Sequence, residues 1–229
     1  MSIERNWKEH FYEIPKQCRY LVEKPAFLSA KPLLIIALHG YGQNPEDMLR
    51  LTRLVVGKDE TIASLAGPNE QFLDPNPSTS AIGYNWGTRN HWAEAIRLHH
   101  SMLNTVLPTL HSDLGIPAAR TLLLGYSQSV GLNYRFAGTY PKAIGAVVGI
   151  CGGVPKDWEE SDLYQRVTSP ILHIARDQDE FFPAEVAAGF KKRLETHATD
   201  VTFQMLEGPH RFPSKAADVI VPWMKRVFA

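Results

Sequence analysis

The sequence contains few cysteines, no long apolar run and no excess of charge of either sign. Its 229 residues include only two cysteines, Cys18 and Cys151, whose spacing suits neither a metal site nor a disulfide framework. The 24 basic residues balance the 24 acidic ones, which gives no reason to expect nucleic acid or an anionic membrane as a partner. No apolar stretch approaches the length of about 18 residues that a membrane span needs.

The first residues and the cysteine content bear on the cellular compartment. Residues 1–10 mix charged side chains with a tryptophan and lack the apolar stretch of a signal peptide. A low cysteine content without a disulfide framework is typical of a reducing compartment. We therefore expect a cytoplasmic protein.

Apolar runs alternate with helical patterns from residue 33 onward. The run 33–38 is continuously apolar, which favours a strand covered on both faces, and Asn44 before Pro45 is typical of a helix start. Predicted strands cover 33–38, 61–66, 121–124, 146–151, 170–175 and 201–206, and predicted helices cover 45–56, 92–111, 129–140, 184–197 and 214–228. This alternation predicts one α/β domain over 1–229, with a mostly parallel central sheet and helices on both faces.

Two segments fall outside this alternation. Residues 1–32 are expected to form an N-terminal arm with a weak edge strand over 19–23, which could belong to an edge hairpin. Residues 69–91 have no clear period, and a loop this long inside a compact domain is usually functional. Tyr84 and Trp86 make it an aromatic loop near the site and are candidates to line a substrate pocket. The alternative is that both aromatic side chains hold the loop on the core.

Residues 121–129 carry the pattern of a nucleophile elbow. An apolar run ends at Gly125, Ser127 follows, and a predicted helix begins at Ser129. In such an elbow a sharp turn between strand and helix exposes the serine hydroxyl and strains the serine backbone. The usual pattern G-x-S-x-G has glycine where this chain has Ser129, so the match is partial, and an ordinary strand-to-helix turn is the alternative.

A serine nucleophile needs a general base and a group that orients the base. His210 follows the last predicted strand, whereas Asp177 and Asp179 follow the strand before it. Serine, acid and histidine thus occur in the chain order of α/β-hydrolases, and parallel strands bring their carboxyl ends to one edge of the sheet. We predict Ser127 as nucleophile, His210 as base and Asp179 as acid, with Asp177 as the alternative acid.

The remaining histidines and the glycine-rich segment 39–42 have other predicted roles. The histidines expected to pack, to be solvated or to brace a loop are His39, His99, His100, His111 and His173. The backbone N–H groups of Tyr41 and Gln128 are the candidate donors to a tetrahedral oxyanion. The glycines on either side of Tyr41 would allow close backbone approach, although they could equally serve only to form the turn.

The sequence resembles the phospholipase/carboxylesterase family of α/β-hydrolases, which includes the acyl-protein thioesterases. The matching segments are 38–42, 125–128, 177–183 and 208–210, together with Trp86. The resemblance implies Ser127, Asp179 and His210 as the catalytic residues and Tyr41 and Gln128 as the oxyanion donors. Three departures from the family pattern, at Ser129, at 175–176 and at 151–152, indicate a divergent member.

The predicted connection between residues 151 and 170 is too short for a large cap domain. We therefore expect an open cleft and hydrolysis of small or short-acyl carboxylic esters, thioesters included, with Phe181 as a further candidate lining residue. The alternatives are a hydrolase-fold protein that binds a ligand without turnover, and a serine peptidase or amidase. We expect no cofactor and no metal, because the sequence has no H-E-x-x-H motif or carboxylate–histidine cluster. The expected partner is a small-molecule ester, and a homodimer is left open.

Overall fold

The structure is a computed structural model that describes residues 7–27, 29–158 and 162–229. Its strands are β1 (Tyr20–Glu23), β2 (Leu34–Leu38), β3 (Thr61–Leu65), β4 (Asn69–Phe72), β5 (Ile82–Asn85), β6 (Thr121–Tyr126), β7 (Ala146–Ile150), β8 (Ile171–Arg176) and β9 (Val201–Leu206). Its α-helices are α1 (Pro45–Val56), α2 (Trp92–Leu114), α3 (Val130–Thr139), α4 (Ala184–Ala187), α5 (Phe190–His197) and α6 (Ala217–Val227). Short 3₁₀ turns cover Ala118–Arg120, Ser127–Ser129 and Ser214–Ala216.

The strands form a seven-stranded sheet in the order β1-β3-β2-β6-β7-β8-β9 and a separate two-stranded sheet, β4-β5. Every pair in the large sheet is parallel except β1 with β3, so the prediction of a mostly parallel sheet is confirmed. The edge strand expected over 19–23 is present as β1. It does not form a hairpin with β2, the next strand along the chain, because β3 and β6 already occupy both edges of β2.

Successive residues of β2 divide between two hydrophobic cores. Leu34, Ile36 and Leu38 pack into the core that α2, α3 and α5 cover. Ile35 and Ala37 point to the opposite face, into the core that α1 and α6 cover. Strand side chains alternate between the two faces, so a strand buried on both faces must be apolar throughout. The helices therefore cover both faces of the sheet, as predicted.

Helix α1 begins where the sequence indicates. The Asn44 side chain accepts a hydrogen bond from the Asp47 N–H at 2.8 Å, and Pro45 occupies the first turn. Helix α2 continues to Leu114, beyond the predicted end at 111, and contains Pro108. It ends at Gly115, whose φ of 67° is the left-handed conformation that glycine adopts without a steric penalty.

Three expectations from the sequence need correction. The predicted helix 184–197 is two short helices, α4 and α5, and the predicted helix 214–228 opens with a 3₁₀ turn before α6. Residues 69–91 contain the β4–β5 hairpin, in which Asn69 lies opposite Asn85. Its strands are short and largely polar, so the apolar alternation that signals a strand is absent from them.

The connection between β7 and β8 contains no helix in its described part, residues 151–158 and 162–170. The polar segments that follow β2, β6, β8 and β9 meet at the carboxyl edge of the sheet, where ligands bind in open α/β sheets. Nowhere in the described ranges is a helix both long enough and apolar enough to cross a bilayer.

Candidate active site

Ser127 lies in a sharp turn between β6 and α3. Its φ of 54° falls in the left-handed region, which residues other than glycine rarely adopt. The packing around the turn leaves little space, because a Cβ on Gly125 would lie 2.6 Å from Asn133 Nδ2 and one on Gly152 would lie 2.7 Å from the Ser127 carbonyl oxygen. These contacts hold the strained backbone that the pattern of a nucleophile elbow predicts.

The hydroxyl of Ser129 explains how this chain accommodates serine at the last position of the elbow. Ser129 is fully buried, and its Oγ accepts a hydrogen bond from the Tyr126 N–H at 3.1 Å. Two carbonyl oxygens lie within reach of the single hydroxyl proton, that of Leu38 at 2.9 Å and that of Tyr126 at 3.1 Å, and the shorter contact is the one to Leu38. Ser129 thus links the ends of β6 and β2, which is a contact that glycine cannot make.

Ser127, His210 and Asp179 form a continuous chain of hydrogen bonds. Ser127 Oγ lies 2.8 Å from His210 Nε2, and His210 Nδ1 lies 2.7 Å from Asp179 Oδ2. Asp179 is only 3 % exposed, and its other oxygen accepts the N–H groups of Phe181 and Phe182 at 2.8 and 2.9 Å. The structure therefore brings together the three residues that the sequence analysis placed in a triad.

Asp177, the alternative acid, faces a different partner. Its Oδ1 accepts the backbone N–H of Gly208 at 2.7 Å, and its own N–H donates to the Leu206 carbonyl oxygen at 3.1 Å. These two bonds join the segments that follow β8 and β9. Asp177 thus holds the loop that carries His210 and makes no contact with the imidazole among the hydrogen bonds of the described residues.

Several contacts fix the orientation of His210. The His210 N–H donates to Glu180 Oε2 at 3.0 Å, and the His210 carbonyl oxygen accepts the Tyr126 hydroxyl at 3.3 Å. The Tyr126 ring stacks on the imidazole with centroids 5.8 Å apart, while the Phe181 ring approaches it edge-on at 4.7 Å. Burial raises the pKa of the Tyr126 hydroxyl, so this group stays a neutral hydrogen-bond donor.

The two candidate oxyanion donors lie on segments that are held by their neighbours. Beside Tyr41, the Gly40 N–H donates to Gln43 Oε1 at 2.8 Å and the Gly42 N–H donates to the Tyr84 carbonyl oxygen at 2.9 Å. The Gln128 side chain accepts the Trp86 N–H at 3.0 Å and donates to the Gly87 carbonyl oxygen at 2.7 Å. Residues 84–87 thus connect the loop of Tyr41 with the elbow of Gln128.

The buried side chain of His39 supports the loop that carries Tyr41. It is fully buried, and its Nε2 accepts the Gly67 N–H at 2.8 Å, which places the ring proton on Nδ1, where it donates to the Gly40 carbonyl oxygen at 2.7 Å. Burial lowers the pKa of His39 to about 4, so the imidazole is neutral near pH 7. His39 therefore braces the loop, in line with the sequence analysis.

An open cleft of about 650 Å³ surrounds Ser127. Phe181 lines this cleft, as predicted, whereas Tyr84 and Trp86 do not. Trp86 is 1 % exposed and its indole N–H donates to the His39 carbonyl oxygen at 2.8 Å, so it anchors the hairpin to the core. The Tyr84 ring lies instead against Arg19, with the guanidinium carbon 5.6 Å from the ring centroid. The expectation that these two aromatic residues form a substrate wall is therefore withdrawn.

Other lining residues were missed in the sequence. They are Phe182, Arg135 on α3, and the segment 153–156 that follows β7. Residues 153–156 have no periodic pattern, and a single arginine on an apolar helix was the only signal for Arg135. No group of three or more His, Cys, Asp or Glu side chains converges as metal ligands would, within the part of the chain that the structure describes.

Comparison with known proteins gives a family match and several structural relatives. The family model for phospholipase/carboxylesterase matches residues 28–224. No protein in the curated set matches the sequence. The fold resembles that of the esterase PE8, with a TM-score of 0.75 and 19 % sequence identity. The superposition covers 93 % of this chain and 100 % of that chain.

Two further structures show the same fold. The carboxylesterase of Bacillus cereus gives a TM-score of 0.70 at 17 % identity, covering 92 % of this chain and 94 % of that chain. Acyl-protein thioesterase 2 of Zea mays gives a TM-score of 0.70 at 16 % identity, covering 92 % of this chain and 99 % of that chain. The low identities agree with the divergence inferred from the sequence. The chain belongs to the phospholipase/carboxylesterase family of α/β-hydrolases and is, by that membership, a carboxylic-ester hydrolase.

Proposed function

We propose that this protein is a serine esterase that hydrolyses small or short-acyl carboxylic esters, thioesters included, through an acyl-enzyme. In this proposal Ser127 is the nucleophile, His210 the general base and Asp179 the residue that orients the base. The observation that carries it is the pair of hydrogen bonds at 2.8 and 2.7 Å that join Ser127 to His210 and His210 to Asp179. A serine hydroxyl becomes an effective nucleophile when a positioned base can take its proton.

Acylation begins when Ser127 Oγ attacks the carbonyl carbon of the ester and His210 Nε2 takes the hydroxyl proton. Asp179 accepts the hydrogen bond from the Nδ1–H group of His210 and stabilises the imidazolium that forms. The carbonyl oxygen becomes an oxyanion, for which the backbone N–H groups of Tyr41 and Gln128 are the proposed donors. The intermediate then collapses, the bond from carbon to oxygen or sulfur breaks, and the leaving group takes the proton from Nε2.

Deacylation repeats these steps with water. A water oxygen attacks the acyl carbon while His210 takes a proton from that water molecule. The Ser127 oxygen then leaves with the proton that His210 returns to it. Asp179 can serve both half-reactions, since it accepts two backbone N–H groups in addition to His210. Hydrogen bonds to an ionised carboxylate favour its charged form, which the role of orienting the base requires.

The shape of the cleft supports the preference for small or short acyl groups. The cleft is open, and the described part of the connection between β7 and β8 contributes loop segments rather than a helical cap. We further propose a cytoplasmic setting, which fits two cysteines, Cys18 and Cys151, that are both free.

A fluorophosphonate probe tests the nucleophile directly. Intact mass and peptide mapping are expected to give stoichiometric labelling at Ser127, and none in Ser127→Ala. Ser101→Ala is a matched control, because Ser101 is exposed on α2. A folded protein that does not react with the probe would overturn the proposal. A series of 4-nitrophenyl esters of increasing acyl length then tests the substrate class, and a strong preference for long chains would contradict the short-acyl assignment.

A further inference from the structure

The charged side chains that line the space around Ser127 all carry one sign. In the main cleft they are Arg135 and Lys156, and in a neighbouring hollow of about 550 Å³, bounded by Tyr41 and Gln128, the charged residue is Arg89. No aspartate or glutamate among the described residues lines either space. The whole chain has equal numbers of acidic and basic residues, whereas the three charged residues that line these two spaces are all basic.

Three carboxylates close to this region already accept hydrogen bonds from the protein. Asp179 accepts from the His210 ring, and Glu180 accepts the His210 backbone N–H. Asp157 pairs with Arg135. Lys156 is exposed and forms no ion pair with any residue that the structure describes. Arg135 is thus neutralised by its pair, and Lys156 is the unpaired cation of the main cleft, where it attracts ligands of the opposite sign.

Arg135 is held as a rigid part of the cleft wall. It is 8 % exposed, its Nε and Nη2 donate to the two Asp157 oxygens at 3.1 and 2.5 Å, and its Nη1 donates to the Gly131 carbonyl oxygen at 3.0 Å. A guanidinium has five N–H donors, so these bonds leave donors on Nη1 and Nη2 for Tyr164 and for an anion at the cleft surface. A guanidinium fixed in this way loses little entropy when it binds a carboxylate.

The position of this wall sets the distance between the anion and the reacting carbon. The bond to Gly131 keeps the guanidinium about one helical turn beyond Ser127, which is roughly 6 Å along the axis of α3. The leaving group must lie next to His210 Nε2, where the wall consists of the aromatic rings of Phe181 and Phe182. The Phe182 ring also borders Gly153, whereas Arg135 and Lys156 make no contact with His210 among the described residues, so the acyl part of the substrate is assigned to their side of the cleft.

We infer that the preferred substrate is an ester or thioester whose acyl group ends in a carboxylate, such as a half-ester of a linear dicarboxylic acid. Lys156 and Arg135 recognise that carboxylate, while the apolar lining contacts the methylene chain. The inference rests on the proposed function and narrows its substrate class.

The test compares two esters of equal length, 4-nitrophenyl hydrogen adipate and its methyl-capped form, at a pH of about 7.5, where a free carboxyl is ionised. We expect kcat/KM for the free acid to exceed that for the capped ester by about tenfold, as one charge-assisted contact would give. The ratio is expected to fall between low salt and about 0.5 M NaCl, because Lys156 is exposed to solvent. Spontaneous hydrolysis is subtracted with a Ser127→Ala blank.

Lys156→Met is expected to lower the ratio about threefold or more, since it removes the unpaired cation from the rim. Both esters are measured on the same variant, so the ratio does not depend on the fraction of folded enzyme. Lys142→Met is the control, because Lys142 is exposed before β7, at the opposite end of the sheet. A ratio at or below one in the wild type, or one that Lys156→Met leaves unchanged, would overturn the inference while the capped ester still reports on the esterase. Failure of both esters together with absent fluorophosphonate labelling would overturn the proposed function itself.

Discussion

The hydroxyl of Ser129 connects to the carbonyl of Leu38, 2.9 Å away, across sequence positions that are 91 residues apart. Leu38 ends β2 and precedes the loop that carries Tyr41, whereas Ser129 closes the elbow that carries Ser127 and Gln128. The bond therefore fixes the distance between the two backbone segments from which an oxyanion would be stabilised. This is the part of the site in which the chain departs from the usual elbow pattern.

Replacing Ser129 by alanine or glycine is expected to lower both stability and turnover. The change leaves the buried Tyr126 N–H and Leu38 carbonyl without this hydroxyl, which costs about 1–3 kcal/mol. Because substrate contacts remain, we expect kcat to fall more than KM changes. Urea unfolding and steady-state kinetics on a short-acyl ester measure the two effects, with Ser101→Ala as the control. Unchanged kcat in a destabilised variant would show that the bond serves folding alone.

Asp179→Asn is expected to reduce kcat by about 10⁴-fold, because an amide cannot stabilise the imidazolium and favours the wrong tautomer of His210. Asp177→Asn is the matched comparison two residues away. Its amide oxygen can still accept the Gly208 N–H, so we expect most of the activity to remain. Equal losses in the two variants, measured as kcat on one ester, would contradict the assignment of Asp179.

Gly208→Ala is expected to displace the loop that carries His210. Gly208 has a φ of 124°, and a Cβ there would overlap the Arg176 guanidinium. Backbone strain of this kind costs about 1–3 kcal/mol, and the loop can relieve it only by moving. We expect a lower midpoint of urea unfolding and slower fluorophosphonate labelling. Gly189→Ala, at a helical φ of −78°, is the control, and wild-type labelling by Gly208→Ala would contradict this prediction.

The buried histidines are expected to make the protein sensitive to mild acid. Burial lowers the pKa of His39 and His100 to about 4 and that of His99 and His173 to about 3. Above a pH of about 6.5 these imidazoles are neutral in the folded and in the unfolded protein, so they do not change the free energy of unfolding. Below it the unfolded chain binds protons that the folded chain excludes, so stability falls as the pH falls towards 4, with a slope of about 1.4 kcal/mol per pH unit for each proton. Urea unfolding from pH 7.5 to 4.5 measures this, and a flat profile would exclude it.

Much of the fold and of the candidate site could be predicted from the sequence because the relevant signals are local. Continuous apolar runs located β2 and β7, and polar residues directly after strands pointed to the sheet edge where Ser127 and His210 meet. The β4–β5 hairpin escaped because its residues are polar and are held by backbone bonds. Trp86 was ambiguous because an aromatic side chain suits both a core and a pocket, and only its 1 % exposure distinguishes them.

The direction of the backbone decides which of two neighbouring residues enters the site, and the sequence pattern does not give that direction. Asp177 and Asp179 are two residues apart, and the turn after β8 directs one to the Gly208 N–H and the other to His210. The wall formed by Arg135 and Lys156 depends on the path of the loop after β7, for which the sequence offers no period. These features require the tertiary structure.

The order of the strands divides the proposed triad into two mechanical units. The segments after β8 and β9 are adjacent and cross-linked, through Asp177 to Gly208 and through the Gln178 N–H to the Gly208 carbonyl, so the acid and the base move together. Ser127 follows β6, and β7 separates it from that unit. A shear of the sheet across β7 would lengthen the contact between Ser127 and His210 while the contact between His210 and Asp179 persists, and the Tyr126 hydroxyl, which donates to the His210 carbonyl oxygen, opposes it. In the proposed triad the acid therefore keeps the base oriented, and the distance from Ser127 to His210 is the one that depends on packing across β7.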